Sequence, residues 1–233
     1  MPEFLNTLSL FAITLTIGTY LFGVWLQSKL KSHLCNPILI SAVLVISVLL
    51  LTGYPAEDYK EATKGISWLL TPATVCFALP LYEQLKVLKK NLPAILAGVL
   101  AGTVTSLAMI FGLCLLFSLD RQLTVSLLPK SITTAMGTVL ATQNEGIESL
   151  TTAVIMVTGI MGALIGPVLC KLFRITNPIA RGVAYGTASH VVGTSKATEI
   201  DPISGAVSTL CLVSAGIITA VIFPLVCMLY PLK

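Results

Sequence analysis

Apolar residues run in long blocks along this chain, and the polar residues collect between them. A helix that crosses a bilayer needs about 20 mostly apolar residues. Residues 7–26, 34–53, 92–119, 149–170 and 203–230 meet that length, and each is predicted to span. Residues 65–82 form a shorter block that holds Pro72 and Pro80, so a broken or kinked span is expected there. Two stretches fit neither class. Residues 122–144 and 182–200 are too polar for lipid-facing helices, yet too apolar and too rich in small residues for surface loops.

Composition agrees with a membrane protein. Of 233 residues, 55% are hydrophobic and only 10% charged, against about 25% charged in an ordinary soluble domain; the mean hydropathy is +0.94. So few charges cannot coat a water-soluble enzyme or keep a linker disordered. The net charge of +4 comes from short basic clusters between apolar blocks, which argues against nucleic acid and for membrane orientation. Lys29 and Lys31 follow the first block, Lys86, Lys89 and Lys90 the third, and Lys171, Arg174 and Arg181 the fifth. Those residues share one side, taken as the cytoplasm, and the N-terminus is then expected outside. No basic residue precedes the first block, so it is read as a retained span rather than a secretory signal. Cys35, Cys76, Cys114, Cys170, Cys211 and Cys227 contain no CxxC pair and are read as buried free thiols.

Charge bookkeeping constrains the two odd stretches. The fourth block exits at Asp120 and the fifth must start on the same outer side, so residues 122–144 are expected to enter and leave there as a re-entrant hairpin. Residues 182–200 start inside; either a second hairpin or a full crossing satisfies the charges. The stretches also share a pattern, Gly137-Thr138-x-x-Ala141-Thr142 and Gly193-Thr194-x-x-Ala197-Thr198, each after a block with a GxxxG at Gly98–Gly102 or Gly162–Gly166. A span plus hairpin, repeated from opposite sides, is an inverted repeat of the kind that places a transport site at mid-membrane. The expected fold is therefore an all-α polytopic membrane protein with six or more spanning helices and two re-entrant or broken-helix hairpins in an inverted repeat. Its parts are residues 1–91 as N-terminal spans and scaffold, 92–148 as the first repeat unit, and 149–233 as the second with the last span.

Lys130, in Leu128-Pro129-Lys130-Ser131-Ile132-Thr133-Thr134, places an amine at membrane depth, where it needs an anion, carbonyls or water. Pro129 ends one helical half, and a helix starting after it would offer N–H groups and a positive dipole end to an anion. A snorkelling lysine near the interface is the plainer alternative. His190 lies among small and hydroxyl residues in Gly186-Thr187-Ala188-Ser189-His190; it is a candidate for a coupling proton, with a hydrogen-bonded structural histidine as the plainer reading. Lys196 can pair with Glu199 or Asp201 at helical spacing. His33 and His190 stand alone without a cysteine pair, so no metal or cofactor is expected. There is no nucleotide fingerprint and no triad around Ser189-His190, so enzyme action is not expected.

Asn36-Pro37, Pro80-Leu81-Tyr82-Glu83-Gln84, Leu128-Pro129-Lys130-Ser131 with Thr133-Thr134, and Gly186-Thr187-Ala188-Ser189-His190 with Gly193-Thr194 and Glu199 resemble the LrgB/CidB family, which includes the C-terminal half of the plastid glycolate/glycerate transporter. The resemblance runs from about Asn36 to the C-terminus, and it implies two competing functions. One is secondary transport of small carboxylates such as glycolate, glycerate or pyruvate. The other is an antiholin-like role, with an LrgA/CidA-type membrane partner, in modulating murein hydrolase activity and cell lysis. Two opposed polar hairpins suit a carrier better than a pore regulator, so transport is the leading expectation. Lys130 would neutralise a small monocarboxylate; Ser131, Thr133, Thr134, Thr138, Thr187, Ser189 and Thr194 would supply hydroxyls; Gly137 and Gly193 would allow close approach; and His190 and Glu199 are the proton-coupling candidates. The expected setting is a bacterial-type plasma membrane, as a homodimer, with alternating access.

Overall fold

The computed structural model describes residues 2–30, 36–76 and 78–228, without side-chain detail at residues 2–8, 70, 71 and 74. Among the described residues the chain is entirely helical. Residues 1–76 and 77–233 form two compact units. The first holds α1 (Pro2–Leu30), α2 (Pro37–Thr52), α3 (Ala56–Ala62), α4 (Lys64–Ser67) and α5 (Leu70–Cys76). The second holds α6 (Ala78–Glu83), α7 (Leu85–Leu116), α8 (Arg121–Leu127), α9 (Thr134–Gln143), α10 (Glu148–Leu172), α11 (Pro178–Ala188), α12 (His190–Ile200) and α13 (Pro202–Met228).

Four helical stretches among the described residues are long and apolar enough to cross a bilayer: Ser9–Leu30, Leu85–Leu116, Glu148–Leu172 and Pro202–Met228. That is fewer than the sequence suggested. The block at 34–53 becomes α2, whose 16 residues reach about 24 Å at 1.5 Å each, short of a hydrocarbon core about 30 Å thick; residues 34 and 35 lie outside the described residues. The block at 65–82 is interrupted at residues 68 and 69, between α4 and α5; Pro72 lies inside α5 and Pro80 inside α6, and residue 77 between those two is outside the described residues. A break in the block is therefore present, ahead of both prolines.

In the first unit α1 packs on α2 and α3 through polar contacts as well as apolar ones. The Thr19 and Ser41 hydroxyls are 2.9 Å apart, and those of Thr16 and Tyr59 are 2.6 Å apart. Asn36 starts α2: its side-chain oxygen accepts from the Ile38 and Leu39 N–H groups at 2.8 and 3.4 Å, with Pro37 as the first helical residue. Asn177 and Pro178 start α11 with the same geometry.

In the second unit α7 and α13 run side by side in one direction. Near their N-terminal ends Leu88, Ile95 and Val99 cluster with Val207, Cys211 and Ala215. Farther along, Leu107 meets Phe223 and Cys227, with Val125 and Leu128 of the α8 region in the same cluster. The opposite faces of these helices carry exposed Leu100, Val104, Met109, Val213, Ile217 and Val221, an apolar surface that water would penalise and lipid would accept. α13 is the most enclosed helix, because α11 and α12 wrap its first half. Gly182 lies against Ser204 and Val207, and Gly186 against Ser208 and Cys211, so α11 runs along α13 in the same direction. α12 comes back. Its Thr194 hydroxyl sits 2.8 Å from that of Ser208, and Thr198 lies against Gly205 near the start of α13.

α8 and α9 make a corresponding turn at the other end of the unit. Arg121, at the start of α8, is paired with Glu145, just past α9. The Ile147 N–H donates to the Ser126 hydroxyl at 2.7 Å, and the Thr151 hydroxyl donates to the Ser126 carbonyl at 3.0 Å. α8 thus goes in and α9 returns, both anchored on the first turn of α10. Of the cysteines read as buried thiols, Cys114, Cys211 and Cys227 are buried and free, Cys170 is half-buried, and Cys76 is exposed; Cys35 lies outside the described residues. Cys76 departs from expectation because it sits in the short helical segment that replaced the third span.

Candidate functional site

Both helix pairs break at their innermost points, and the breaks face each other. The first is the non-helical run 128–133 between α8 and α9. The second is the Ser189–His190 junction, where His190 takes a φ of 41°, in the left-handed region that few residues other than glycine adopt, histidine being among the more tolerant with asparagine and aspartate. Ile155 of α10, fully buried, stands between the two breaks. Its carbonyl accepts a 2.8 Å hydrogen bond from His190 Nε2, and its side chain lies against Gly137 of α9. Gly159, one turn on, leaves room for the imidazole ring.

Two cavities lie where the breaks meet. One is a narrow chamber of about 10 Å³, room for a single water molecule. Ser131 and Thr187 line it together with Thr103 and Ser106 of α7 and Thr219 of α13. The Thr103 hydroxyl is buried without a hydrogen-bond partner, which is costly unless something enters the chamber to meet it. The other cavity is a cleft of about 440 Å³ along α10 and α11, lined by Lys130 and Ser189 with Thr158, Tyr185 and Cys170. The Tyr185 hydroxyl is likewise buried and unpartnered.

Lys130 joins the cavities. Its ammonium donates to the Ser131 hydroxyl at 3.0 Å, and Ser131 in turn sits 3.2 Å from the Ser106 hydroxyl. No carboxylate pairs with Lys130: the ion pairs among the described residues are Lys64–Glu61, Arg121–Glu145 and Lys196–Glu199. A half-buried cation with hydroxyl neighbours and no counter-ion has the chemistry to accept a small anion.

The other candidates are spread more widely. Thr133 caps α9, accepting from the Met136 N–H at 3.4 Å. Thr134 supplies the carbonyl that takes the Thr138 hydroxyl at 2.8 Å. Thr194 is fully buried, bonded to the His190 carbonyl and to Ser208, on the side of α12 that meets α13. Gly193 fits against Ser189 and the Tyr185 carbonyl within its own hairpin. Glu199 is exposed and paired with Lys196 at 2.8 Å. Asp201 instead starts α13 outside the spanning helix; burial works to raise its pKa, but hydrogen bonds from the Ser204 N–H at 3.0 Å and hydroxyl at 2.9 Å, with the field of Arg181, hold it below the usual carboxylate value.

Sequence reasoning missed Thr103, Ser106, Thr158, Tyr185 and Thr219. Thr103, Ser106, Thr158 and Thr219 were visible as polar groups inside apolar blocks, but hydroxyls in such blocks commonly bond back to the carbonyl four residues earlier, so their type alone did not separate them from Thr138 or Thr142; Tyr185 stood in the second polar stretch among smaller hydroxyl residues. The two GxxxG motifs converge on one element: Gly98 and Gly102 face Val183 and Thr187, and Gly162 and Gly166 face Ser189 and Tyr185. Both therefore seat α11 and the junction just past it.

Comparison with known proteins bears on what this site serves. The model of the LrgB-like family matches residues 16–229. The chain belongs to the LrgB-like family. It is similar to the holin-like protein CidB of Staphylococcus epidermidis, 35% identical over 230 residues, covering 99% of this chain and all of that protein. It is also similar to the holin-like protein CidB of Staphylococcus aureus, 34% identical over 222 residues, covering 95% of this chain and 97% of that protein. No solved structure matches it. Family membership and four helices of spanning length together make this LrgB-like chain an integral membrane protein.

Proposed function

We propose that the chain is a holin-like membrane protein of the bacterial plasma membrane, acting with an LrgA/CidA-type membrane partner on murein hydrolase activity and cell lysis. The supporting observation is its near-full-length likeness to two proteins that bear the holin-like name. This was the second expectation from the sequence, and the relatives' names back it better than they back transport. The test is controlled expression in bacteria lacking the native pair, with murein hydrolase activity and lysis as readouts. A change that requires the partner supports the reading, and no change with the partner present removes it.

One geometric observation favours a molecular activity beneath that role, the passage of small monocarboxylates. It is the convergence of two helix breaks on Lys130, a cation without a counter-ion, beside two cavities lined by hydroxyls. On this reading the α8–α9 and α11–α12 pairs are re-entrant hairpins that enter from opposite faces as an inverted repeat, with the N-terminus outside and the chain working as a homodimer. His190, positioned at the hairpin tip by the bond from its Nε2–H to the Ile155 carbonyl, remains with Glu199 a candidate for the coupling proton, since an imidazole titrates at its other nitrogen. Flux of radiolabelled pyruvate and glycolate into proteoliposomes holding this chain alone is the direct measurement. Lys130→Ala should reduce uptake at least tenfold while the protein still elutes as a folded species; undiminished uptake would exclude the site.

A further inference from the structure

The cleft that holds Lys130 does not end at Tyr185. It shares Cys170 and Ile175 with a second cavity of about 410 Å³ at the C-terminal end of α10, lined also by Lys171, Arg174 and Arg181. None of these three cations is in an ion pair, and no carboxylate lines either cavity. Asp201, whose Oδ2 accepts from the Ser204 N–H and hydroxyl, feels the field of Arg181 without an ion pair to it. Three cations against that one carboxylate leave an excess of positive charge around the concavity, which raises the local concentration of anions.

The face of α11 continues from that mouth inward. Arg181, Tyr185 and Ser189 follow one another at four-residue spacing, so they stack along one side of the helix. Tyr185 is 3% exposed, and its hydroxyl is the unpartnered one. A cation, a free hydroxyl and a second hydroxyl thus form a ladder about 12 Å long, at 1.5 Å per residue; its last rung, Ser189, lines the cleft together with Lys130. The opposite wall, from α10, is mostly apolar, with Met161, Ile165 and Leu169 and a single hydroxyl at Thr158, so most of the polar help for an anion comes from the ladder.

We propose that the basic cavity and the cleft form one anion-loading vestibule, which gathers small carboxylates at Lys171, Arg174 and Arg181 and passes them along Tyr185 and Ser189 to Lys130. The proposal rests on the carrier reading and adds to it the side and the route of entry. With positive residues inside, that side is the cytoplasm.

Cys170 lies in the wall common to both cavities and reports on the route without any transport. In the full wild-type chain in neutral-lipid nanodiscs, its reaction with a negatively charged methanethiosulfonate (the sulfonatoethyl reagent) is compared with that of the positively charged trimethylammonium reagent, read at Cys170 by peptide mass spectrometry, each rate divided by that reagent's rate with a small thiol in solution. The anionic reagent should react about tenfold faster at low salt. The preference should collapse in high salt and in Arg174→Asn with Arg181→Gln; asparagine is chosen because residue 174 has a φ of 52°. Added pyruvate should slow the anionic reagent in the wild type but not in Lys130→Ala, and Tyr185→Phe should weaken that protection several-fold.

Equal rates for the two reagents would overturn the vestibule. So would protection by anionic phospholipid in the nanodisc with no effect of pyruvate, which would make the cavity a lipid-headgroup site. Pyruvate flux measured on the same preparation separates the two claims. Flux with no charge preference at Cys170 sinks the vestibule and leaves the carrier standing. Charge preference and pyruvate protection without flux leave the vestibule as a binding site and sink the carrier.

Discussion

His190 carries two constraints at once, a left-handed backbone and a ring whose Nε2 proton is held by the Ile155 carbonyl. Such a conformation costs on the order of 1–3 kcal/mol, and surrounding structure must hold it in place. His190→Asn keeps a residue that tolerates this backbone, whereas His190→Val puts a β-branched side chain there. Thermal unfolding in detergent should therefore rank wild type, then Asn, then Val, with Val below Asn by about 1–2 kcal/mol; Val at or above Asn would show that the junction is not strained. Gly162 is constrained in a different way: a methyl group there would overlap the Ser189 side chain. Gly162→Ala should push Ser189 out of the cleft and weaken pyruvate protection at Cys170, with little change in expression. The sequence marked Lys130, Ser131, Thr187 and Ser189 as candidates, and these four line the two cavities. It could not separate Ser131, Thr187 and Ser189 from Thr138 and Thr194, because all are small hydroxyl residues and the difference lies in which way each hydroxyl points.

Asparagine followed by proline starts both α2 and α11, a device readable from local chemistry alone because the asparagine oxygen meets N–H groups within three residues. Asn177→Ala should destabilise α11, and with it the packing of Gly182 and Gly186 against α13, by about 1 kcal/mol in chemical unfolding. The Arg121–Glu145 pair should matter less. Glu145 is 78% exposed, and solvent-exposed pairs contribute about 0–1 kcal/mol. Arg121→Ala should change stability by less than Asn177→Ala does, and the reverse order would mean that the ion pair, rather than Ser126 and Thr151, closes the α8–α9 turn. The shared Gly-Thr-x-x-Ala-Thr pattern has a common local meaning, since Thr138, Thr142, Thr194 and Thr198 each bond to the carbonyl four residues back. Its glycines share only part of their surroundings: each meets its own hairpin, Gly137 at Pro129 and Gly193 at Ser189 and Tyr185, but Gly137 also meets Ile155 of α10. A repeated sequence thus produced the same helix chemistry in two different tertiary settings.

For the whole molecule, the proposed topology places the 143–146 turn and the 174–177 turn on opposite sides of the membrane. Single cysteines at Glu145 and Thr176 should be labelled by an impermeant maleimide from opposite sides in oriented vesicles; labelling of both from one side would remove the inverted arrangement. The four long apolar helices, the polar stretches between them and the membrane class follow from the sequence itself, because transfer free energy adds up residue by residue along a block. The short length of α2 and the interruption at residues 68 and 69 did not follow as readily, since apolar content does not specify where a helix ends. That α11–α12 folds back along α13, that Ile155 sits between the two breaks, and that Tyr185 and Thr103 keep unpartnered hydroxyls were decided only by tertiary structure. Those features depend on how each helix is rotated against its neighbours, and rotation is set by the packing of surfaces far apart in the chain.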